Sequence, residues 1–110
     1  MFDALKNLGG LGEMMRKAKE MQAKFQEELG KKQITAEAGG GMVQATVSGR
    51  MELIKLKIDK TKIDPNDTDM LEDVIVAAVH AAQARAAEVV KGEMNKMAGE
   101  MGLPPGMMGQ

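Results

Sequence analysis

The sequence predicts a small α+β domain in which a helix, a three-stranded antiparallel sheet and a second, longer helix follow one another. Apolar residues recur at steps of three and four from Leu11 to Leu29, which is typical of a helix. Apolar and polar residues then alternate between residues 33 and 58, which is typical of short, half-buried strands. A wide apolar stripe between residues 70 and 97 restores the helical period. The 110 residues are enough for one domain.

The first helix is predicted from about Leu11 to Leu29, and Gly30 is expected to end it. Residues 1–12 are predicted to be a flexible, glycine-broken lead-in to a domain that spans residues 13–98. The apolar seam of the helix is narrow and two charged columns lie beside it, which suits a helix that projects or pairs. Each glutamate of one column precedes a lysine of the other by four residues, the favourable order for an ion pair. The columns are Glu13, Glu20 and Glu27, and Lys17, Lys24 and Lys31.

Three strands are predicted over residues 33–38, 42–48 and 51–58. Each should place apolar side chains on one shared face of an antiparallel meander. On the third strand we expect Ile54, Leu56 and Ile58 on that face, and Leu53, Lys55 and Lys57 on the other.

The glycine triplet Gly39–Gly41 could be a phosphate-binding loop or a turn. A phosphate loop needs its glycines to lead into a helix N-terminus and to be followed by a Lys-Ser/Thr pair or spaced glycines. Here a strand follows, and no such pair is present. We therefore interpret the triplet as the hairpin turn between the first two strands, where glycine supplies positive φ angles.

The second helix is predicted from about Met70 to Met97. Asp69 is its expected N-cap, and Glu72 would complete a capping box. The helix is rich in alanine, so that another element can approach it closely. Residues 99–110 have no period and are predicted to be a disordered tail. The stripe expected to pack on the sheet is Leu71, Val74, Ile75, Ala78, Ala82, Ala86 and Val89.

The composition is poor in aromatic residues and rich in methionine. The chain has 12 Met, two Phe, no Trp and no Tyr, so its core must be built from smaller aliphatic side chains and flexible methionines. A second chain would complete such a core, and we expect a homodimer. The chain lacks cysteine, which excludes disulfides. With neither a secretory signal nor a membrane-spanning stretch in the sequence, we expect a soluble, cytoplasmic protein.

The sequence offers no convincing catalytic or metal site. His80 is the single histidine, and no second ligand or nucleophile is placed with it. The stretch DPNDTD resembles a calcium loop but lacks the required glycine and the bidentate glutamate. We therefore predict no catalytic residue, metal, cofactor or small-molecule substrate, and we interpret His80 as a surface or interface residue without an assigned role.

Charge is distributed unevenly along a chain whose net charge is −1. Lys and Arg outnumber Asp and Glu by seven to five in residues 1–32 and by five to three in residues 33–63. In residues 64–110 the acids prevail by eight to three. The basic residues of the first helix could form a solvated salt-bridge ladder or a nucleic-acid surface, and charge alone leaves both open.

Four stretches in this order resemble the YbaB/EbfC family of bacterial nucleoid-associated proteins. They are RKAKEMQAKFQEEL, AGGGMVQATVSG, MLEDVIVAAVHAAQARA and GLPPGM, and they cover the chain from about Met14 to Met107. The resemblance implies an intertwined homodimer whose helical ends project as arms and which binds double-stranded DNA. It also implies a location in the nucleoid, and a role in organising the nucleoid or modulating gene expression. At His80 and Ala81 the chain departs from the family's usual Asn followed by an acid.

With DNA as the expected partner, the basic residues of both helices are the candidate contacts. Because no aromatic residue lies near them to stack on bases, we expect contacts mainly to phosphates and a weak sequence preference. The alternative is a protein-interaction adaptor that docks through its heptad-like first helix, with DNA binding incidental. The candidate DNA-binding residues are Arg16, Lys17, Lys19, Lys24, Lys31, Lys32, Arg85, Lys91 and Lys96.

Overall fold

The structure is a computed structural model that describes the backbone of residues 2–100 and 102, and the side chains within this part from residue 10 onward. One long helix precedes a three-stranded sheet in the chain and a second long helix follows it, which confirms the predicted α+β fold. The molecule is elongated, with principal extents of 77 × 23 × 18 Å. The elements are α1 (Phe2–Lys31), β1 (Gln33–Ala38), β2 (Val43–Ser48), β3 (Leu53–Ile58) and α2 (Thr68–Glu100).

Helix α1 begins at Phe2, so the predicted start at Leu11 is wrong. Its N-terminal half contains Gly9, Gly10 and Gly12, and the helix continues through all three. A glycine inside a helix costs only about 1 kcal/mol relative to alanine, and here strong helix formers such as leucine, lysine and methionine surround the three. The boundaries of the predicted domain stay a prediction. Of the predicted tail, residues 99 and 100 belong to α2, and residues 101 and 103–110 lie outside the described residues.

The sheet is antiparallel in the order β1-β2-β3, as predicted. In β1 and β2, Ile34 lies opposite Val47, and Ala36 lies opposite Ala45. These residues share the face that packs against α2 and forms the core. On the other face, which we call the outer face, the hydroxyls of Thr35 and Thr46 are hydrogen-bonded at 2.8 Å.

A β-bulge in β3 makes one sequence prediction wrong. Thr46 lies opposite Lys55, but Val47 lies opposite Leu53, so Ile54 is an extra residue in the ladder. An extra residue reverses the alternation at that point. Leu53 therefore shares the core-side face with Leu56 and Ile58, while Ile54 lines a depression on the outer face with Lys55 and Lys57.

Helix α2 lies across β1 and β2 and leaves the core-side face of β3 largely uncovered. Ala78, Ala82 and Ala86 are fully buried, as are Val43 and Val47 opposite them. Small side chains let the helix axis lie close to the sheet, and this explains the alanine-rich stripe. On β3, by contrast, Leu53 is 50% exposed and Leu56 is 37% exposed.

Helix α2 begins two residues earlier than predicted and ends three residues later. Its cap is Asp67, whose side-chain oxygen accepts a hydrogen bond from the Met70 N–H at 3.1 Å. The predicted cap, Asp69, lies inside the first turn, and the third helical position is Met70 rather than Glu72. The predicted capping box is therefore wrong, because the helix starts where the earlier aspartate reaches its free N–H groups.

The glycine triplet forms the β1–β2 turn, as predicted. Gly39, Gly40 and Gly41 have φ angles of 66°, 65° and 89°, a region that other residues adopt only with strain. A Cβ atom at Gly39 would lie 2.8 Å from a methyl carbon of Val74, so the turn also packs directly on α2. Neither described helix is long and apolar enough to cross a membrane.

Candidate nucleic-acid interface

The N-terminal part of α1 projects away from the sheet as an arm. A 30-residue helix is about 45 Å long. The side chains of residues 10–24 are exposed, and among the α1 side chains that the structure describes, Leu29 is the first that is buried. We call residues 10–24 the arm.

Arg16 on the arm is held by two carboxylates of its own helix. Its guanidinium donates to Glu20 at 2.9 Å and to Glu13 at 3.2 Å. Because these groups are exposed, each pair contributes little to stability. The pairs do neutralise the charge that Arg16 would offer to a polyanion.

Three other cations of the arm are exposed, and within the described residues none of them lies within 4.0 Å of a carboxylate. They are Lys17, Lys19 and Lys24, which we call the arm lysines. An exposed ammonium group without a partner keeps its full charge available to a ligand.

At the base of the arm, the predicted cations are paired. Lys31 lies 3.7 Å from Glu27, and Lys32 reaches across to Glu93 of α2 at 3.3 Å. The Lys32 pair joins the connection between α1 and β1 to α2.

A groove of about 410 Å³ runs between the two helices at this point. Its apolar lining is formed by Met21, Phe25, Leu29 and Met97. Its charged residues balance one another, so the groove carries little net charge. They are Lys24, Lys32 and Lys96, and Glu28, Glu93 and Glu100.

The predicted cations of α2 do not form one surface. Arg85 lies beside β1 and donates to the carbonyl oxygen of Thr35 at 2.7 Å, so it covers part of the free edge of that strand. Lys91 and Lys96 are exposed on the half of α2 that extends past the sheet. The structure therefore brings Lys24, Lys32 and Lys96 together and leaves Arg85 apart.

Sequence reasoning missed a second group of cations, on and beside the outer face of the sheet. Lys55 and Lys57 stand on β3, and Lys60 and Lys62 follow in the next loop. The ammonium group of Lys62 donates to the carbonyl oxygen of Gly40 at 3.2 Å. The alternation that places Lys55 and Lys57 on one face is visible in the sequence. The polar side chains beside them come from other strands, so the sequence alone does not show the whole group.

Asp59 is the carboxylate nearest this group in the chain. The hydroxyl and the N–H of Thr61 donate to it at 2.6 and 3.0 Å. These bonds, helped by the charges of Lys62 and Lys57, lower the pKa of Asp59 below its ordinary value of 3.8. The residue is therefore anionic at neutral pH.

His80 is exposed on α2. Among the residues that the structure describes, no three histidine, aspartate or glutamate side chains lie close enough together to hold a metal ion.

Comparison with known proteins identifies relatives over nearly the whole chain. A nucleoid-associated protein of Moorella thermoacetica is 44% identical over 101 residues, which are 86% of this chain and 97% of that protein. A nucleoid-associated protein of Paramagnetospirillum magneticum is 43% identical over 93% of this chain and 95% of its own length. A third, from Syntrophobacter fumaroxidans, is 43% identical over 82% of this chain and 84% of its own length.

The fold has a counterpart among solved structures. The crystal structure of the uncharacterized protein HP0035 from Helicobacter pylori matches with a TM-score of 0.61. It covers 83% of this chain and 91% of its own, at 23% identity, and so shows the fold alone. The family model of the YbaB/EbfC DNA-binding family matches residues 7–101. Together with the 44% identity of the Moorella protein, this match shows that the chain belongs to the YbaB/EbfC DNA-binding family.

Proposed function

We propose that the protein is a nucleoid-associated protein that binds double-stranded DNA as a homodimer, mainly through phosphates and with weak sequence preference. The observation that carries this proposal is the set of three arm lysines, exposed and without a carboxylate partner among the described residues, on a helix that projects from the sheet. The family's description and the relatives' names support DNA as the partner. In the cell, the protein would act in the cytoplasm at the nucleoid, organising it or modulating gene expression.

Phosphate contacts follow from the residue types available. Lysine carries a compact charge on a flexible stem, which suits attraction to phosphates rather than bidentate reading of a base edge. The chain has no Trp or Tyr, and its two phenylalanines are Phe2 and Phe25. Phe25 is half-buried in the α1–α2 groove, so it is not free to stack on bases. A role of this kind needs no catalytic residue, and we propose none.

Homodimerisation is supported by the small core of one chain. Nine hydrophobic residues of the described part are buried, and the largest that are fully buried are Val43 and Val47. Leu53 and Leu56 lie uncovered on the core-side face of β3, and Val76 on α2 is 53% exposed. Burying a side chain of this size contributes about 1.5–3 kcal/mol. We propose that a second copy covers the apolar surface formed by Leu53, Leu56 and Val76, which we call the β3 shelf. The dimer would then carry two arms.

One observation favours a different function. The arm also carries large exposed apolar residues, of which Met14 is the most exposed at 68%. A seam of this kind could dock onto the helices of another protein, and the protein would then be an adaptor. The residues are Leu11, Met14, Met15 and Met21.

The test compares two sets of lysines in a gel shift with a short DNA duplex. The variant Lys17→Gln/Lys19→Gln/Lys24→Gln should stay folded and lose affinity by at least about tenfold, because each chain loses three phosphate contacts. The matched control is Lys55→Gln/Lys57→Gln, which should stay within about threefold of wild type. If the control loses affinity and the arm variant keeps it, the sheet rather than the arm holds the duplex. If the wild type binds no duplex at low salt, the adaptor function is favoured.

A further inference from the structure

We propose that the outer face of the sheet is a second phosphate-binding surface, which lets the protein hold a second segment of duplex DNA while the arms hold the first. The inference rests on the proposed function, because it takes duplex DNA as the ligand. It goes beyond that function in making the protein a bridge between two duplex segments.

The outer face is built as a polar concavity. A depression of about 440 Å³ lies over the three strands. The bulge at Ile54 places Lys55 opposite Thr46, and Lys57 lies opposite Gln44. Thr35 completes the polar floor through its hydroxyl bond to Thr46 at 2.8 Å. Hydroxyl, amide and ammonium groups are the side-chain donors that proteins use toward phosphate oxygens.

The concavity continues toward the loop after β3. A second depression of about 560 Å³ shares Gln44 and Lys57 with the first and adds Lys60 and Lys62. Side chains two positions apart on a strand lie roughly 7 Å apart, so Lys55, Lys57 and the loop lysines form a row rather than a point. A row of charges suits a polyanion better than a single small anion.

The charge of this row is not cancelled. Within the described residues, none of Lys55, Lys57, Lys60 and Lys62 forms an ion pair, whereas Arg16 and Lys31 on α1 and Lys32 just after it do. Two acids border the row, Glu37 and Asp59. Thr61 donates both of its hydrogen bonds to one carboxylate oxygen of Asp59, and the charge of Asp59 still acts on Lys57 and Lys62. Four cations against two acids leave the surface positive.

The outer face and the groove at the base of the arm lie on different sides of the sheet. Helix α2 packs on the opposite face of the sheet, and the α1–α2 groove is joined through Lys32 and Glu93 on that side. A duplex held on the α2 side of the arms would therefore leave the outer face open. Lysines on an edge strand also prevent that edge from pairing with the sheet of another molecule. The experiment therefore has to separate this protective role from DNA binding.

The experiment measures bridging and single-duplex binding on the same samples. One duplex is tethered to beads, and capture of a second, labelled duplex by the full-length protein reports bridging. A gel shift with one short duplex reports primary binding. Lys55→Gln/Lys57→Gln should lower bridging by at least about fivefold and leave the gel shift within about threefold of wild type. Glu37→Gln, which removes an acid from the border of the row, should raise bridging.

The outcomes separate this proposal from the proposed function. Unchanged bridging by the sheet variant would overturn the second surface, and so would a wild type that binds one duplex but never captures another. If Lys55→Gln/Lys57→Gln aggregates in sedimentation but still bridges two duplexes, the lysines only prevent edge-to-edge pairing of β3 between molecules. No binding by the wild type in the gel shift would refute the DNA-binding function itself.

Discussion

Gly49 donates its backbone N–H to the carbonyl oxygen of Leu29 at 2.9 Å, and this bond joins the end of α1 to the β2–β3 turn. A Cβ atom added at Gly49 would lie 2.7 Å from the same oxygen. Leu29 is buried beside it, and the neighbouring turn residue Met51 has a φ of 67°, a strained value for a residue with a side chain. The direction of the arm therefore depends on the close approach of two backbone segments.

We expect Gly49→Ala to lower the free energy of unfolding by about 1–3 kcal/mol, because backbone atoms must move apart to admit the methyl group. The matched control is Gly92→Ala in α2, where an added Cβ would meet nothing within 4 Å. That substitution should instead stabilise the protein by about 0.5–1 kcal/mol, since alanine is the better helix former. Urea denaturation of both variants measures the difference, and equal effects would contradict the close approach at Gly49.

The dimer prediction uses two adjacent residues on opposite faces of β3. Leu53 is 50% exposed on the core-side face, and Ile54 is 48% exposed on the outer face. If the β3 shelf is covered by a second copy, Leu53→Lys should place a charge in the interface and produce monomers. Ile54→Lys changes the same kind of side chain at the same exposure and should leave the dimer intact. Sedimentation at micromolar concentration distinguishes the species, and a wild type that sediments as a monomer would refute the dimer.

Asp59 gives a pH-dependent prediction. Because the hydrogen bonds from Thr61 lower its pKa in the folded state, Asp59 stabilises the fold at pH values above its ordinary pKa of 3.8. This contribution is lost as the pH falls through the lowered, folded-state value. Asp59→Ala should therefore be less stable than wild type at neutral pH and equally stable in strong acid. If the stability difference between wild type and Asp59→Ala grew as the pH fell, this prediction would be contradicted.

His80 is exposed and has no assigned role. His80→Ala should leave the affinity for duplex DNA within about threefold of wild type, because none of the proposed phosphate contacts involves this side chain. Affinities measured at neutral pH in the same buffer provide the check. A loss of more than about tenfold with the dimer intact would mean that the only histidine contacts DNA after all.

The order of the elements could be predicted because each has a strong local period. The alanine stripe of α2 and the paired faces of β1 and β2 both follow from spacing alone. The bulge in β3 could not be predicted. Leu53 and Ile54 are both apolar, so the sequence is compatible with either of them on the core-side face. What decides between them is the pairing of Val47 with Leu53, a contact between strands.

The candidate site was less predictable for a similar reason. The sequence shows that Lys24 and Lys32 are basic, but the partner of Lys32 is Glu93, far along the chain. Likewise, Arg85 donates to Thr35, a backbone group 50 positions away. The charge that remains free depends on such contacts, and these exist only once the helices and the sheet are assembled.

The dependence of duplex affinity on salt shows whether the arm lysines bind DNA phosphates. If each of the three arm lysines neutralises one phosphate in both copies of a dimer, log affinity should fall against log salt with a slope of about −5. The variant Lys17→Gln/Lys19→Gln/Lys24→Gln should make the slope clearly shallower, because each chain then neutralises three fewer phosphates. An affinity that scarcely changes with salt in the wild type would contradict phosphate binding and favour docking through the apolar seam of the arm.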